Sequence, residues 1–410
     1  MKFTKFSTRQ KLTLTWWNRP EFKDYDGILC DGSIRSGKTV SMTIGFILWS
    51  MTAFDNQSFA ICGRTIESLR RNVIVHTPTW LEGLFTVTER RADNKLIISV
   101  GKRSNTYYLF GGRDESSYTL VQGITLAGAL LDEVALMPRS FVEQVLARCS
   151  VDGSKFWFNC NPEGPMHWFY KEWVLKHKEK NVLHLHFTMR DNLSLSDRIR
   201  ERYEGMYTGV FYARYIQGLW TKAEGLVYPF FNADEHMIDA PKEDTGVYYI
   251  SCDYGTINPC VFGLWRLKGT SAVMVKEYYF DSRKKGRQKT DEEYYKDLEE
   301  FAGDYRIERI IIDPSAASFK ETIRRHGKYS VKDANNAVLD GIRMTSTLLK
   351  AGKIHFDRSC VHTQAEFGAY AWDEKSPVDA VLKENDHSMD QMRYFVRTVL
   401  HREVRMNGLK

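Results

Sequence analysis

The chain has 410 residues, 43% hydrophobic and 27% charged, ordinary proportions for two or three folded domains, which exclude global disorder and a fibrous repeat. Lys plus Arg number 58 against 52 Asp plus Glu, a formal charge of +6 that permits a polyanionic partner without naming one. The seven cysteines are scattered and form no C-x-x-C, which excludes a disulfide framework or zinc site and points to a reducing cytoplasm. No apolar stretch approaches a membrane span, so no membrane association is expected.

Residues 26 to 220 alternate short apolar runs with amphipathic stretches, the pattern of an α/β domain with a mostly parallel sheet. GILC (27 to 30) predicts a buried strand, followed by a Gly-rich turn and a helix from Lys38 to about Thr52. A strand at Phe59 to Cys62 and a helix over Thr65 to Leu81 come next, then a hairpin of Leu96 to Val100 and Thr106 to Phe110. Leu126 to Leu131 reads as a buried strand, Pro138 to Arg148 as a helix, Lys155 to Cys160 and Val182 to Thr188 as strands, and 196 to 218 as helical. Residues 221 to 246 lose periodicity and gather Gly, Pro and acids, which predicts a domain over 1–222, a linker over 223–246 and a second domain over 247–410. That second domain opens with three strands joined by short turns: Val247 to Cys252, Val261 to Leu267 and Ala272 to Phe280. Helix Asp291 to Phe301, strand Ile307 to Ile312, helix Ser315 to His326, a short strand, helix Asn335 to Lys350, and helices near 362 to 371 and 387 to 402 complete it.

Gly32-Ser33-Ile34-Arg35-Ser36-Gly37-Lys38-Thr39 matches G-x-x-x-x-G-K-[ST], after a short apolar strand and before a helix. In such a loop the glycines let backbone N–H groups wrap phosphates, Lys38 reaches the β- and γ-phosphates, and Thr39 offers its hydroxyl to Mg²⁺. LAGALLDE supplies Asp132 at a strand end to hold the metal and Glu133 to polarise an attacking water. Asn159 and Asn161, at the tip of KFWFNCN, are candidates to sense the γ-phosphate, and Gln10 in FSTRQ is a candidate to read adenine through a bidentate amide contact. The cofactor implied is ATP with Mg²⁺.

In the second domain Asp253 ends the strand in ISCDYG, Asp313 ends RIERIIID, and Asp390 lies on the terminal helix with His387 three residues before it on the same face. Three such acids are expected to converge on a pair of Mg²⁺ or Mn²⁺ ions and cleave phosphodiesters, with Asp379 and Asp386 as competitors for the third place. The order of strands and acids is that of an RNase H-like nuclease. Arg283, Lys284, Lys285, Arg287 and Lys289 give five basic residues in seven, which read as a solvated loop or a clamp on DNA phosphates.

With both sites in place, FSTRQ, GSIRSGKT, LLDE, FNCNPEG, CDYG, IIIDPSA and HSMD, in that order, resemble the large terminase subunit of tailed bacteriophages, with FNCNPEGPMHWFY closest to its PBSX-type branch. The resemblance implies an N-terminal P-loop ATPase domain of the ASCE type that drives double-stranded DNA into a prohead. It implies a C-terminal RNase H-like nuclease domain that cuts the concatemer. It carries Lys38 and Thr39 to phosphate and Mg²⁺, Asp132 and Glu133 to the Walker B roles, Asn161 to coupling, and Asp253, Asp313 and Asp390 to nuclease metals. The implied partners are DNA, a portal protein, a small terminase subunit and further copies of the chain in a ring on the prohead, in the host cytoplasm. The same two sites also suit an ATP-gated nuclease of recombination or defence that translocates nothing, or a nucleotide-switched DNA-binding scaffold, the latter disfavoured by Glu133.

Overall fold

The computed structural model describes residues 5–240 and 245–400. The chain divides into two compact units, one running to Gly205 with Val210–Lys222, the other comprising Met206–Gly209 and the chain from Ala223 onward.

The first unit is built on a sheet of β1 (Gly27–Gly32), β2 (Ser58–Gly63), β3 (Thr86–Arg90), β4 (Lys95–Val100), β5 (Arg103–Gly111), β6 (Gly128–Asp132), β7 (Lys155–Asn159) and β8 (Val182–Phe187). Their order is β3-β4-β5-β2-β6-β7-β1-β8, with β3, β4 and β5 antiparallel and every other pairing parallel. The short runs GILC, SFAIC and GALLD carry no polar alternation because both faces of a parallel sheet are covered, and these central strands are almost wholly buried. β7 lies between the loop-bearing strand β1 and the acid-bearing strand β6, the added strand of an ASCE sheet. Helix Lys38–Ala53 packs on one face, where Trp157 meets Trp16, Phe46 and Trp49 at ring-centroid distances of 5.4, 6.0 and 6.3 Å.

The helix predicted over Thr65 to Leu81 is broken into Ile66–Asn72, a 3₁₀ turn at Ile74–His76 and a short helix Thr77–Trp80. Pro78 is the cause: inside a continuous helix its ring would strike the carbonyl four residues back, whereas in a first turn it is tolerated. β3 was not predicted, because TVTER is an exposed edge strand without an apolar face.

The second unit carries β9 (Met237–Ile238), β10 (Val247–Asp253), β11 (Cys260–Lys268), β12 (Ser271–Phe280), β13 (Ile307–Ile312), β14 (Val331–Asp333) and β15 (Ile354–Asp357) in the order β14-β13-β10-β11-β12-β15-β9. β10, β11 and β12 are antiparallel neighbours, and β13 and β14 extend the sheet in parallel from β10. This is the RNase H-like arrangement. Helix His387–Phe395 lies on the central strands, with Phe395 stacked on Trp265 at 4.4 Å and 8°. The final positions of the helix predicted to reach 402 lie outside the described residues.

The stretch predicted as a linker, 223–246, is largely structure. Val227 N donates to Tyr370 O at 2.9 Å, Tyr228 is 1% exposed, and Met237–Ile238 pair with Phe356 and Asp357 as the edge strand β9. The aromatic run VYPFF draws this segment into the second unit, a burial that outweighs the Gly, Pro and acid content that reads as a loop. Residues 241–244 of that prediction are outside the described ones. Trp157→Ala should remove the centre of the first unit's aromatic cluster and lower stability by about 3–5 kcal/mol; denaturant unfolding followed by fluorescence measures it.

Candidate functional site

Gly32, Gly37 and the start of helix Lys38–Ala53 form a cradle whose shape depends on missing side chains. Gly32 and Gly37 have φ of 120° and 84°; a Cβ on Gly32 would lie 2.0 Å from Phe187 O, and one on Gly37 2.3 Å from Gln10 Nε2. Within it the Lys38 ammonium donates to Gly32 O at 3.2 Å, Ser33 O at 2.7 Å, Ser36 Oγ at 3.2 Å and Asn161 Oδ1 at 3.1 Å. Burial lowers its pKa to about 8, against the raising effect of Cys160, Asp31 and other nearby groups. Thr39 Oγ1 donates to Asp132 Oδ1 at 3.1 Å, and Asn159 Nδ2 donates to Thr39 Oγ1 at 2.9 Å and to Asp132. Burial, with the charge of Glu133, raises Asp132 to about 6.

Thr39 and Asp132 together offer a hydroxyl and a carboxylate oxygen, a donor set that fits Mg²⁺ bound with phosphates. Ser33 Oγ and Asn159 Oδ1 are buried beside them without a protein partner, as polar atoms awaiting a polar ligand are. Glu133 stands at φ 61°, in the left-handed region that non-glycine residues rarely adopt. Burial raises its carboxyl above the usual range, opposed by the positive charges of Arg64 and Arg71. Arg64 follows β2 as Glu133 follows β6, and these strands are parallel neighbours, Cys62 pairing with Leu131.

Two of the predicted nucleotide contacts have protein partners. Gln10 Oε1 accepts Ser7 N at 3.0 Å in the capping box of helix Thr8–Thr15, and its Nε2 lies against Gly37 of the loop. Arg35, at φ 56°, holds its guanidinium 5.5 Å above the Tyr203 ring, and its carbonyl accepts Asn192 Nδ2 at 2.8 Å. Asn159 and Asn161 both reach the loop, through different partners.

A cluster that sequence reasoning missed lies at the end of β1. The Asp31 carboxylate is 1% exposed; His184 Nε2 and His186 Nδ1 stand 2.9 and 3.0 Å from its Oδ1, and Trp220 Nε1 donates to Oδ2 at 2.7 Å. Burial alone would raise this carboxyl, but the hydrogen bonds from His184, His186 and Trp220 prevail and hold it well below the usual carboxylate range. The bond to Asp31 in turn raises His186. The alternation VLHLHF, which puts both histidines on one face of β8, was the available signal.

In the second unit, Asp253 ends β10 and Asp313 follows β13, level with each other because Cys252 pairs with Ile312. Tyr394 Oη donates to Asp313 Oδ2 at 2.8 Å and lies 3.4 Å from Asp253 Oδ1; His387 Nδ1 is 2.8 Å from Asp253 Oδ2. Burial raises Asp253 to about 6, partly offset by His387, and the Asp253 contact raises His387 against its own burial. Asp313 moves the other way: bonds from Ser315 and Tyr394 outweigh burial and lower it.

Asp390, the expected third acid, has local partners of its own, and its charge also reaches Asp253, whose carboxyl it helps to raise. Asp390 Oδ1 accepts Arg393 Nη2 at 2.8 Å and Nε at 3.3 Å, and its Oδ2 is 3.8 Å from Lys383. Among the described residues no group of three or more His, Cys, Asp or Glu side chains is placed to hold a metal ion. An acid three residues before an arginine on one helix lies within reach of it, and the two pair here. What fits a hard divalent cation is the pair Asp253 and Asp313, oxygen donors on two adjacent strand ends.

The basic run is not a free loop. Asp281 caps the short helix Ser282–Lys285 by accepting Arg283 N and Lys284 N, and Gly286 closes it at φ 62°. Arg287 pairs with Glu293, Lys289 with Asp297, and Lys284 with Asp281 at 3.6 Å, while Arg283 Nη2 donates to Asn258 Oδ1 at 2.9 Å. Lys289, its ammonium 4.4 Å from the Phe280 ring centre, is part of the fold rather than a free cation.

The profile described as "Terminase large subunit, T4likevirus-type, N-terminal" matches residues 29–234. The large terminase subunit of Escherichia phage T5 is 24% identical over 297 residues, a match spanning 66% of this chain and 65% of that protein's length. The large terminase of a thermophilic bacteriophage is 51% identical in a match covering 97% of this chain and 100% of that one, and it superposes with a TM-score of 0.90. The same thermophilic phage protein in complex with ATP-gamma-S superposes with a TM-score of 0.85 at 50% identity over the same shares of both chains. No helix among the described residues is long and apolar enough to cross a membrane. The chain belongs to the large terminase subunit family.

Proposed function

We propose that this chain is the motor subunit of a phage DNA-packaging machine. It hydrolyses ATP in its first unit to move double-stranded DNA into a prohead, and in its second unit it cuts the concatemer by metal-dependent phosphodiester hydrolysis. The observation that carries the motor reading is the meeting of Lys38, Thr39, Asp132 and both asparagines at the ends of three neighbouring parallel strands. The thermophilic phage relative, solved with ADP and with ATP-gamma-S, supports the choice of nucleotide.

The chemistry follows from these residues. Phosphate oxygens would take over the donors that Lys38 now spends on Gly32 O, Ser33 O and Ser36 Oγ. Thr39 and Asp132 would hold Mg²⁺, which neutralises charge on the transferring phosphoryl group. Glu133 accepts a proton from the attacking water, a task favoured by a carboxyl whose pKa is raised by burial. Asn161, bonded to Lys38, and Asn159, bonded to Thr39 and Asp132, are both set to register loss of the γ-phosphate.

In the second unit Asp253 and Asp313 would hold a Mg²⁺ or Mn²⁺ ion, which activates water and stabilises the leaving oxygen. His387, at Asp253 Oδ2, orients that carboxylate, and Tyr394 fixes the spacing of the two carboxylates. Arg283, Lys284 and Lys285, with Arg287 exposed beside its Glu293 partner, are cations available to DNA phosphates. Family membership supports DNA, a portal, a small subunit and further copies of the chain as partners in the infected host's cytoplasm. The deciding experiment is packaging itself: DNA added with ATP and portal-bearing proheads should become nuclease-resistant, and an ATP-gated nuclease would degrade it without protecting it.

Lys38→Ala and Glu133→Gln should each reduce ATP hydrolysis by orders of magnitude, as phosphate release will measure. Mg²⁺-nucleotide binding should peak between about pH 6 and about pH 8. It weakens below as Asp132 takes up a proton, and above as Lys38 loses one; fluorescent-nucleotide titration across pH reads both limbs.

Asp253→Ala and Asp313→Ala should abolish plasmid cleavage while ATP turnover persists, since the residues lie in different units. Neutralising Lys284 and Lys285 should flatten the salt dependence of DNA binding, the log K slope falling by roughly 0.9 for each phosphate no longer neutralised. Gel-shift titrations at graded salt measure that slope.

A further inference from the structure

Asp31 is the last residue before the phosphate loop, a buried anion next to a site that must take another anion. Burial opposes its charge, and the bonds from His184, His186 and Trp220 preserve it. β1 and β8 pair in parallel with His184 level with Leu29 and His186 level with Asp31, so both imidazoles share the face on which Asp31 stands. A carboxylate only accepts, so His184 presents Nε2–H and His186 Nδ1–H, at 2.9 and 3.0 Å from Oδ1, while Trp220 gives its indole N–H to Oδ2 at 2.7 Å. Three donors converging on one short side chain need two acceptor oxygens, which the amide of asparagine does not supply. The loop is seated as closely by its neighbours. Ser33 N donates to Phe187 O and Ile34 N to Tyr215 O, each at 2.9 Å. Gly218, at φ 76°, lies so near that a Cβ on it would meet Ser33 N and His186 Cε1 at 2.9 Å and Gly32 Cα at 3.0 Å. Trp220 stacks on Tyr170 at 4.9 Å and 23°, which fixes the direction of its N–H.

The residues held in this way, Gly32 and Ser33, are the ones whose carbonyls accept the Lys38 ammonium. We propose that Asp31 is a positioning residue for ATP hydrolysis: bonded to His184, His186 and Trp220, it sets Gly32 and Ser33, and through their carbonyls the point from which Lys38 moves onto the phosphates. The inference rests on the motor reading of the first unit. A negative charge beside the loop disfavours bound polyphosphate, so affinity is not what this carboxylate contributes. Nucleotide is gripped by many N–H groups at once, whereas phosphoryl transfer depends on one ammonium in place, and a misplacement of about 1 Å costs up to about a hundredfold in rate.

The test measures ATP turnover by the full-length chain and its binding of ATP-gamma-S with Mg²⁺. Asp31→Asn, which keeps the size of the side chain and one acceptor oxygen, should lower kcat about ten- to a hundredfold and leave the ATP-gamma-S dissociation constant within about threefold. Turnover at the unmodified rate would overturn the inference and leave the motor reading standing; an unmodified chain that hydrolyses no ATP would overturn the motor reading and the inference with it. Equal losses in kcat and in affinity would mean a collapsed loop and would overturn a positioning role. The histidines separate hydrogen bonding from bulk. In His186→Asn the amide nitrogen takes the place of Nδ1, and in His184→Gln that of Nε2, so each should keep kcat within about threefold, while His186→Leu and His184→Leu, without a donor, should lose about tenfold. Equal rates in the amide and leucine variants would overturn the part played by the hydrogen bonds. If thermal melting shows that Asp31→Asn does not fold, Trp220→Phe, which removes one N–H and keeps a ring against Tyr170, decides the matter: about tenfold lower kcat at unchanged affinity supports the inference, and unmodified turnover overturns it.

Discussion

The first unit depends on one pairing register. β7 lies between β1 and β6 with Asn159 opposite both Cys30 and Asp132, so the tips of three parallel strands end at one level. Sheet hydrogen bonding sets that level to within a fraction of a residue, and a slip of one position would turn Asn159 and Asp132 to the opposite face. The phosphate loop begins two residues after Cys30, and its helix starts at Lys38, so the distances among Lys38, Thr39, Asp132 and Asn159 follow from strand registry rather than from loop conformation. The second unit repeats the device with β10 and β13, whose register sets Asp253 and Asp313 side by side.

Charge is buried in both units at these strand ends, and in each case a neighbouring group decides what state the burial leaves. Asp132, Glu133 and Asp253 are pushed up by burial, while Asp31 and Asp313, equally at strand ends, are pulled down by hydrogen-bond donors. The chain thus sorts like residues into different proton affinities using only what each touches: imidazole and indole around Asp31, backbone and phenol around Asp313.

Much of this could be read from residues alone. The phosphate loop, Asp132 and the order of strands around Asp253 and Asp313 were legible because apolar runs mark buried strands, and acids just after them mark strand ends. What was hidden had no local signature. Arg393 looks like any helical arginine until Gly341 and Asn336, more than fifty residues earlier, make a place for it. The basic run at 283 to 289 reads as free charge because its acidic partners Glu293 and Asp297 lie on the following helix, Asp291–Ala302. The segment after Lys222 carries loop-like composition, and the aromatic side chains it buries, Tyr228 and Phe231, pack on Phe367 more than a hundred residues later.

Glu133 illustrates how such a site constrains what can be altered. Its left-handed backbone costs on the order of 1 kcal/mol relative to glycine, which adopts that conformation without strain. Glycine at this position would give a more easily folded turn and take away the carboxylate proposed to accept the proton. Asparagine, the other residue that tolerates the region, keeps a polar side chain but lacks the negative charge. With that proposed role, position 133 is a point where selection for heat resistance and selection for turnover pull in opposite directions. Lineages living at high temperature should gain their stability elsewhere in the sheet and leave this one uncomfortable residue in place.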